Sequence, residues 1–312
     1  MSDSFCTRAA YGKALMKYAD KYPEIVVLDA DLSAATKTQE FVKNYPERSL
    51  NVGISEQDLI GTAAGLSTVG LIPFASTFAI FAAGRATDQI RNCVAYNNMN
   101  VKIVGTHGGL NVGEDGGSHQ ALEDLAIMRA IPNMTVLVPC DAEEVYQVVE
   151  AAILHKGPVY IRLGRDFFPN VKKSNKSFEI GKAYVLREGS DVALFAHGMM
   201  VSSCIEAADT LSKIGISAAV INVPTLKPFD TQTVIDVIKT VKAAITVEEH
   251  MINGGLGSIV AEAISESGIS GVPFKRMGVD DRFGQTGSTK ELLQEYQLTS
   301  LDIEKAVQQI LA

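Results

Sequence analysis

The sequence predicts an α/β protein made of two doubly wound domains. Short apolar, β-branched runs alternate with segments of helical spacing along most of the 312 residues. Such alternation is typical of parallel sheets with helices on both faces. Between residues 167 and 182 it gives way to a polar, lysine-rich stretch. We therefore expect one domain at 1–166, a linker at 167–182 and a second domain at 183–312.

In the first domain the predicted strands are contiguous apolar runs, which indicate burial on both faces. They are expected at 25–28, 50–52, 71–74, 101–105, 135–138 and 158–163. Helices are expected at 8–21, 34–44, 77–97, 122–130 and 142–155, with another beginning at Glu56.

The second domain repeats this alternation. Strands are expected at 192–196, 217–223 and 243–247, and helices at 199–213, 230–240 and 255–267. The turn Asn253–Gly257 has no Lys-Ser/Thr after it, so it predicts a tight helix start rather than a phosphate-binding loop. Thr299 and Asp302 have the spacing of a helix-start signature, which predicts a final helix.

Composition excludes several classes of function. A net charge of -8 without a long basic run argues against binding nucleic acid. The four cysteines lack metal-binding or disulfide spacing, which suits a reducing cytoplasm, and no signal peptide precedes the first helix. The uncharged run 59–84 is punctuated by glycine and proline, so it predicts helix, strand and helix in a buried core rather than a membrane span.

Glu56 is the first candidate functional residue. It opens a predicted helix, and no charged residue occurs from Leu59 to Gly84. A carboxylate against apolar surface tends to hold its proton more tightly, which suits a functional acid. The alternative is an ordinary acid in the first turn of a helix.

A glycine-rich loop between Thr106 and Gln120 is the second candidate. It contains His107, Asp115 and His119, and it follows a predicted strand. Imidazoles there suit proton transfer or hydrogen bonding to a hydroxyl or phosphate. A metal site is disfavoured because the histidines lack metal-binding spacing.

Aromatic and basic residues add further candidates, each with a structural alternative. Phe78 and Phe81 could form a wall for a flat heterocycle or simply pack in the core. Arg8, Arg162 and Arg165 lie beside apolar elements, and Arg165 in particular suits a phosphate clamp or a salt bridge between domains. Arg85 and Arg91 are expected to be surface or interface charges.

Several segments together resemble one family over nearly the whole chain. The segments Gly53–Gln57, Ser76–Phe78, Arg85–Arg91 and Gly113–Asp124 resemble the pyrimidine-binding domain of transketolases. The second half, with Thr246–Glu249 followed by Gly254–Gly257, resembles their C-terminal domain.

The resemblance implies thiamine diphosphate as cofactor. Glu56 would hydrogen-bond N1′ of the aminopyrimidine, Phe78 and Phe81 would stack on it, and Asp31 would lie near the thiazolium across a subunit interface. The carbon chemistry would be that of the cofactor.

The resemblance also implies a sugar-phosphate substrate. His107 and His119 would lie near its carbonyl and hydroxyls, Asp115 would recognise a hydroxyl, and Arg8 with Arg165 would bind the phosphate.

Departures from the family pattern are informative. No Gly-Asp-Gly motif occurs, although the family uses it to hold Mg²⁺ and the diphosphate. The chain therefore resembles the C-terminal subunit of a split transketolase, completed by a separate N-terminal chain, and a heterotetramer is expected. Ala35 replaces a family serine that assists phosphate binding, where Ser33 or Thr36 could substitute, and Gly84 replaces a tyrosine. Both changes bear on the substrate.

Two alternatives stay open at this point. One is the corresponding subunit of a 2-oxoacid dehydrogenase or deoxyxylulose-phosphate synthase, which share the architecture. Arg8, Arg165 and the two histidines favour a sugar phosphate over a plain 2-oxoacid. The other is a catalytically silent scaffold subunit, which the intact set of Glu56, Phe78 and the histidine loop disfavours.

Overall fold

The apolar runs become strands in the computed structural model, which describes residues 4–171 and 177–312. Within those residues the strands form a seven-stranded sheet, a five-stranded sheet and a two-stranded ribbon. Strands β1 to β14 are, in order, Ser4–Phe5, Ile25–Asp29, Ser49–Asn51, Ile72–Phe78, Lys102–Thr106, Thr135–Leu137, Val159–Arg162, Phe168–Pro169, Tyr184–Arg187, Val192–Ala196, Ala218–Asn222, Thr225–Lys227, Ala243–Met251 and Phe274–Val279.

Helices connect these strands. Helices α1 to α13 are, in order, Thr7–Tyr18, Ser33–Thr36, Gln39–Asn44, Glu56–Ser67, Ala79–Arg85, Thr87–Gln89, Asp124–Ala130, Ala142–Leu154, Met200–Lys213, Thr231–Ile238, Leu256–Ser267, Thr289–Glu295 and Ser300–Leu311. Two 3-10 segments, Pro46–Arg48 and Leu110–Asp115, and a π-helical segment, Ile90–Ala95, complete the regular structure of the described residues.

Both large sheets are mainly parallel, which confirms the predicted fold class. The first has the strand order β12-β6-β7-β5-β4-β2-β3, and β12 is its antiparallel edge. The second has the order β14-β13-β10-β11-β9, with β9 antiparallel. The order reverses direction along each sheet, as in doubly wound folds.

Three apolar layers pack against the two sheets, and one of these layers lies between them. Ile25 and Val27 of β2 face a layer formed with α1 and α8, whereas Val26 and Leu28 face the opposite layer. That second layer also contains Phe195 from the second sheet, so it is shared by both sheets. The third layer lies between the second sheet and helices α9 and α13. Strands buried on both faces account for the uninterrupted apolar runs.

Two predicted helices are wrong as single elements. The segment 34–44 contains α2 and α3, separated by Lys37 in a left-handed conformation. The segment 77–97 begins in strand β4 and is then divided among α5, α6 and the π-helical segment. Strand β4 runs on to Phe78 and is buried over its polar residues as well, where Ser76 hydrogen-bonds the Tyr11 hydroxyl at 2.8 Å.

Several short or edge strands were not predicted, namely β1, β8, β9, β12 and β14. Helix α12 was not predicted either. Strand β12 comes from the second half of the chain, yet it pairs with β6 of the first sheet. Strand β8, at the start of the predicted linker, pairs with β1, and residues 172–176 of that linker lie outside the described residues.

Other local predictions are confirmed. Helix α11 begins directly after the turn Asn253–Gly255, and Thr299 caps α13 in a capping box with Asp302. The uncharged run forms α4, β4 and α5 in the core. Among the described residues, no helix combines the length and apolar character that crossing a bilayer requires.

A buried arginine joins the two halves of the chain. Arg162, at the end of β7, contacts Asp124 of α7 (Nε–Oδ2 3.1 Å) and Glu249 of β13 (Nη1–Oε1 3.8 Å). Its Nη2 also donates to the carbonyls of Ala121 and Glu249, both at 3.2 Å. All three charged side chains are at most 4% exposed. One buried cation therefore contacts two buried acids, and burial raises the pKa of Glu249 to about 7.

We predict that Arg162→Met lowers the free energy of unfolding by about 3–5 kcal/mol, because it leaves buried carboxylates without their cation. Arg187→Met is the matched control, since Arg187 pairs with Asp209 on the surface and should change stability by less than about 1 kcal/mol. Urea unfolding of each variant measures the difference. Equal losses in the two variants would contradict a special role for Arg162.

Candidate functional site

Glu56 is the first residue of helix α4 and is 4% exposed. The helix buries Leu59, Ile60, Ala63 and Ala64 along one side, and this apolar side fixes the position of its first turn. Glu56 Oε1 accepts a hydrogen bond from Nη1 of Arg85 at 2.8 Å. The carboxylate is therefore buried but paired.

The pairing corrects the expectation for Arg85. Its side chain is 51% exposed, as a surface charge would be, but its guanidinium also contacts a candidate site residue. The sequence offered one signal that went unused: Arg85 is the first charged residue after the uncharged run 59–84.

Phe78 and Phe81 belong to one stack of flat groups. Phe78 ends strand β4 and Phe81 lies in α5, and their ring centroids are 5.4 Å apart with planes inclined by 12°. His107 covers the Phe78 ring at 3.7 Å, and the Arg85 guanidinium lies 3.9 Å from the Phe81 centroid. The predicted aromatic wall thus exists, and Arg85 connects it to Glu56.

His107 lies buried at the start of the glycine-rich loop, in a left-handed conformation with φ 57°. Its Nε2 accepts from Nη1 of Arg8 (3.2 Å), so its Nδ1 carries the proton and donates to Thr106 Oγ1 (2.9 Å). Burial, and next the positive charge of Arg8, lowers the pKa of His107 to about 3. The imidazole is consequently neutral around pH 7.

His119 lies at the other end of the loop and meets the edges of both phenyl rings. Its centroid is 5.4 Å from that of Phe81 and 6.2 Å from that of Phe78, with interplanar angles of 70° and 68°. Its Nδ1 is 3.0 Å from Ser118 Oγ. The ring is only partly buried, so it borders the solvent side of the aromatic stack.

Arg8 and Arg165 converge beside His107. Arg8 Nε donates to the backbone carbonyl of Arg165 at 3.2 Å, and Arg165 Nη1 lies 3.5 Å from Asp115 Oδ1 and 3.3 Å from Glu114 Oε2. Both arginines line a cleft of about 250 Å³. Its other walls include Asn111, Glu114, Asp166, Ser288 and Thr289. Arg162, by contrast, forms the buried salt bridges between the two halves of the chain, a role that the sequence suggested as the alternative for Arg165.

Asp31 and Ala35 follow strand β2. Asp31 is exposed, and its N–H donates to Asn51 Oδ1 at 3.0 Å. The carbonyl of Ala35 accepts from Arg8 Nη1 at 2.8 Å, which ties this segment to the cleft. Thr36 is buried and donates to Asp29 Oδ2 at 3.1 Å, so its hydroxyl proton is already engaged inside the protein.

Family comparisons cover almost the full chain. Residues 3–170 match the family described as transketolase, pyrimidine binding domain, and residues 181–303 match transketolase, C-terminal domain.

Comparisons with individual proteins also match transketolase subunits. The chain is 45% identical to a putative transketolase C-terminal section of Methanocaldococcus jannaschii (96% of this chain, 94% of the relative). It is 42% identical to a 6-deoxy-6-sulfo-D-fructose transketolase subunit of Clostridium sp. (97% and 94%). It also resembles the solved structure of a split gene transketolase described as an inactive beta4 tetramer, with a TM-score of 0.89, 49% identity and 98% coverage of each chain.

The two matched domains, the aligned length of these relatives and the site geometry agree with one another. The chain belongs to the transketolase family of thiamine diphosphate-dependent transferases, as a C-terminal subunit of the split type.

Proposed function

We propose that this subunit transfers a two-carbon ketol unit between sugar phosphates when an N-terminal subunit completes its active site. The observation that carries the proposal is that Arg8 and Arg165 line one cleft, and that Arg8 also contacts His107, which covers Phe78 of the aromatic stack. Two guanidinium groups suit the phosphate of a substrate, and the adjacent Asp115 suits a sugar hydroxyl.

The partner subunit would hold Mg²⁺ and the diphosphate of the cofactor, since the family's Gly-Asp-Gly motif is missing from this sequence. A site shared between two kinds of chain favours a heterotetramer. Free thiols at all four cysteines accord with a cytoplasmic location.

Arg85 gives a test of whether the cofactor fits this chain. Its guanidinium is planar and donates hydrogen bonds, and it both pairs with Glu56 and lies over the Phe81 ring. An aminopyrimidine is likewise planar and donates hydrogen bonds, so the site would have to accommodate the same two properties in the cofactor. Glu56, Phe78 and Phe81 therefore fit a flat donor heterocycle, and they would hold the pyrimidine end of thiamine diphosphate.

The protein contributes placement and proton handling. Bound thiamine diphosphate supplies the carbon centre that carries the two-carbon unit. Glu56 would hold a proton opposite the pyrimidine ring, and Arg8 and Arg165 would fix the substrate phosphate. His107 keeps Arg8 in place through a neutral ring, and His119, on the open side of the stack, would face the substrate.

A 2-oxoacid substrate is the weaker alternative, because it has no phosphate for the two arginines. A silent scaffold is weaker still, because every predicted group of the loop and of the aromatic stack is present and most are in mutual contact.

We predict that Glu56→Gln lowers ketol transfer by about 10²–10⁴-fold, because it removes the group that exchanges the proton. The assay uses the enzyme reconstituted with its partner, thiamine diphosphate and Mg²⁺, and follows two-carbon transfer from a ketose phosphate, with pyruvate decarboxylation measured in parallel. Asp58→Asn, an exposed acid of the same helical turn, should retain full activity. Undiminished turnover in Glu56→Gln would overturn the assignment, and preference for pyruvate would favour the 2-oxoacid alternative.

A second prediction concerns phosphate recognition. Arg8→Met should raise the KM for a ketose phosphate by about 10–100-fold, the value of one charge-assisted hydrogen bond. The KM for the unphosphorylated ketose should change much less. Steady-state kinetics with both substrates measure the contrast, and Arg91→Met, which alters an exposed arginine hydrogen-bonded to Asn92, is the control. An equal rise for both substrates would show that Arg8 does not bind the phosphate.

A third prediction follows from the lowered pKa of His107. The unfolded chain takes up this proton near pH 6.5, whereas the folded chain resists it until about pH 3. The stability that depends on the neutral His107 imidazole is therefore fully present above pH 6.5, and it decreases as the pH falls toward about 3. When the pH falls from 6.5 to 4, the free energy of unfolding should decrease by roughly 3 kcal/mol less in His107→Gln than in the wild type. Urea unfolding across this range measures both slopes; identical slopes would contradict a buried neutral His107.

A further inference from the structure

Glu249 is a buried carboxylate that belongs to the second sheet but contacts the glycine-rich loop of the first domain. It lies in β13 and is 3% exposed. Its Oε2 accepts from the backbone N–H of Asn111 at 3.1 Å, and its Oε1 accepts from Asn111 Nδ2 at 2.7 Å. Two parallel hydrogen bonds fix the asparagine in position and orientation.

Asn111 carries this constraint into the candidate site. Its Oδ1 accepts from the backbone N–H of Arg165 at 2.6 Å, and its Nδ2 also donates to the carbonyl of Gly108 at 3.1 Å. Both oxygens of Glu249 accept hydrogen bonds from Asn111, and the Gly108 carbonyl also accepts from Nδ2, so the amide nitrogen of Asn111 faces these two groups. The amide oxygen must then face the N–H of Arg165.

The backbone of the glycine-rich loop packs closely against the Glu249 side chain. Gly109 has φ 80°, and a Cβ placed on it would lie 2.6 Å from Oε2 of Glu249. The backbone thus rests directly on the carboxylate. The 3-10 segment Leu110–Asp115 starts at the next residue, is interrupted by Gly113 with φ 74°, and ends at Asp115.

We infer that Glu249 is a positioning residue for the substrate site, acting through Asn111 on the Arg165 backbone and on the segment that carries Asp115. The inference rests on the proposed function, in which Arg165 binds the phosphate and Asp115 a hydroxyl. It gives the C-terminal domain a defined part in substrate binding.

Glu249→Gln is the direct test. A glutamine has one acceptor oxygen where the carboxylate has two, so it can accept from only one of the two Asn111 donors, the backbone N–H or Nδ2. We expect KM for the ketose phosphate to rise about 10-fold, with kcat changed less than about threefold, because the loss affects binding more than the reacting centre. Affinity for thiamine diphosphate should be unchanged, since Glu56, Phe78 and Phe81 are not involved.

Glu248→Gln is the matched control, one residue away in the same strand and equally buried. The Glu248 carboxylate accepts from the backbone N–H groups of Leu256 and Gly257, both at 2.8 Å, within the second domain. This variant should lower the melting temperature but leave KM unchanged. A matching rise in KM would show that Glu249 acts through general stability and would overturn the inference.

Hydrogen exchange of the full chain gives a readout without catalysis. The amides of residues 108–113 should exchange at least about 10-fold faster in Glu249→Gln than in the wild type or in Glu248→Gln. Unchanged exchange would overturn the inference. If the reconstituted wild type shows no ketol transfer, the proposed function fails, while the exchange experiment still decides whether Glu249 holds the loop.

Discussion

The buried ion pairs of Arg162 with Asp124 and Glu249 are the constraint on which the site depends. The arginine comes from a central strand of the first sheet, one carboxylate from the helix after the glycine-rich loop, and the other from the second sheet. Removing Arg162 would leave two acids in the core without their cation, so its contacts hold the three segments in one arrangement. The loop with His107 and Asp115 passes directly over this cluster.

That arrangement explains why a loop with five glycines is well defined. Gly109 rests on Glu249, and a Cβ on Gly117 would lie 2.4 Å from the carbonyl of Gly284 in the second domain. Gln120 Nε2 also donates to the carbonyl of Gln285 at 3.0 Å. The glycines permit close approach of two backbones rather than mobility. The second domain therefore forms the base on which the substrate half of the site is built.

The sequence predicted those parts of the fold whose signal is local. Contiguous apolar runs identified β2 and β10, and the cap at Thr299 identified the last helix. It could not predict β12, three residues long, because that strand exists only through pairing with β6 about ninety residues earlier. The full length of β13 was missed for a related reason: Glu248 and Glu249 look like the polar end of a strand, although both are buried in it.

The site shows the same division between local and distant information. Glu56, the aromatic pair and the histidine loop could be found from residue type and position, and the family resemblance gave them roles. The contacts of Arg85 with Glu56 and of Glu249 with Asn111 could not be predicted from the sequence, because 29 and 138 residues separate the partners. These two contacts differ in kind. Glu249 is buried and contacts the proposed substrate end, whereas Arg85 is half exposed beside the proposed cofactor end. The proposed substrate end is therefore packed within one chain, whereas the proposed cofactor end, where Ile54 is also 77% exposed, is open on the side where we propose that a second chain closes it.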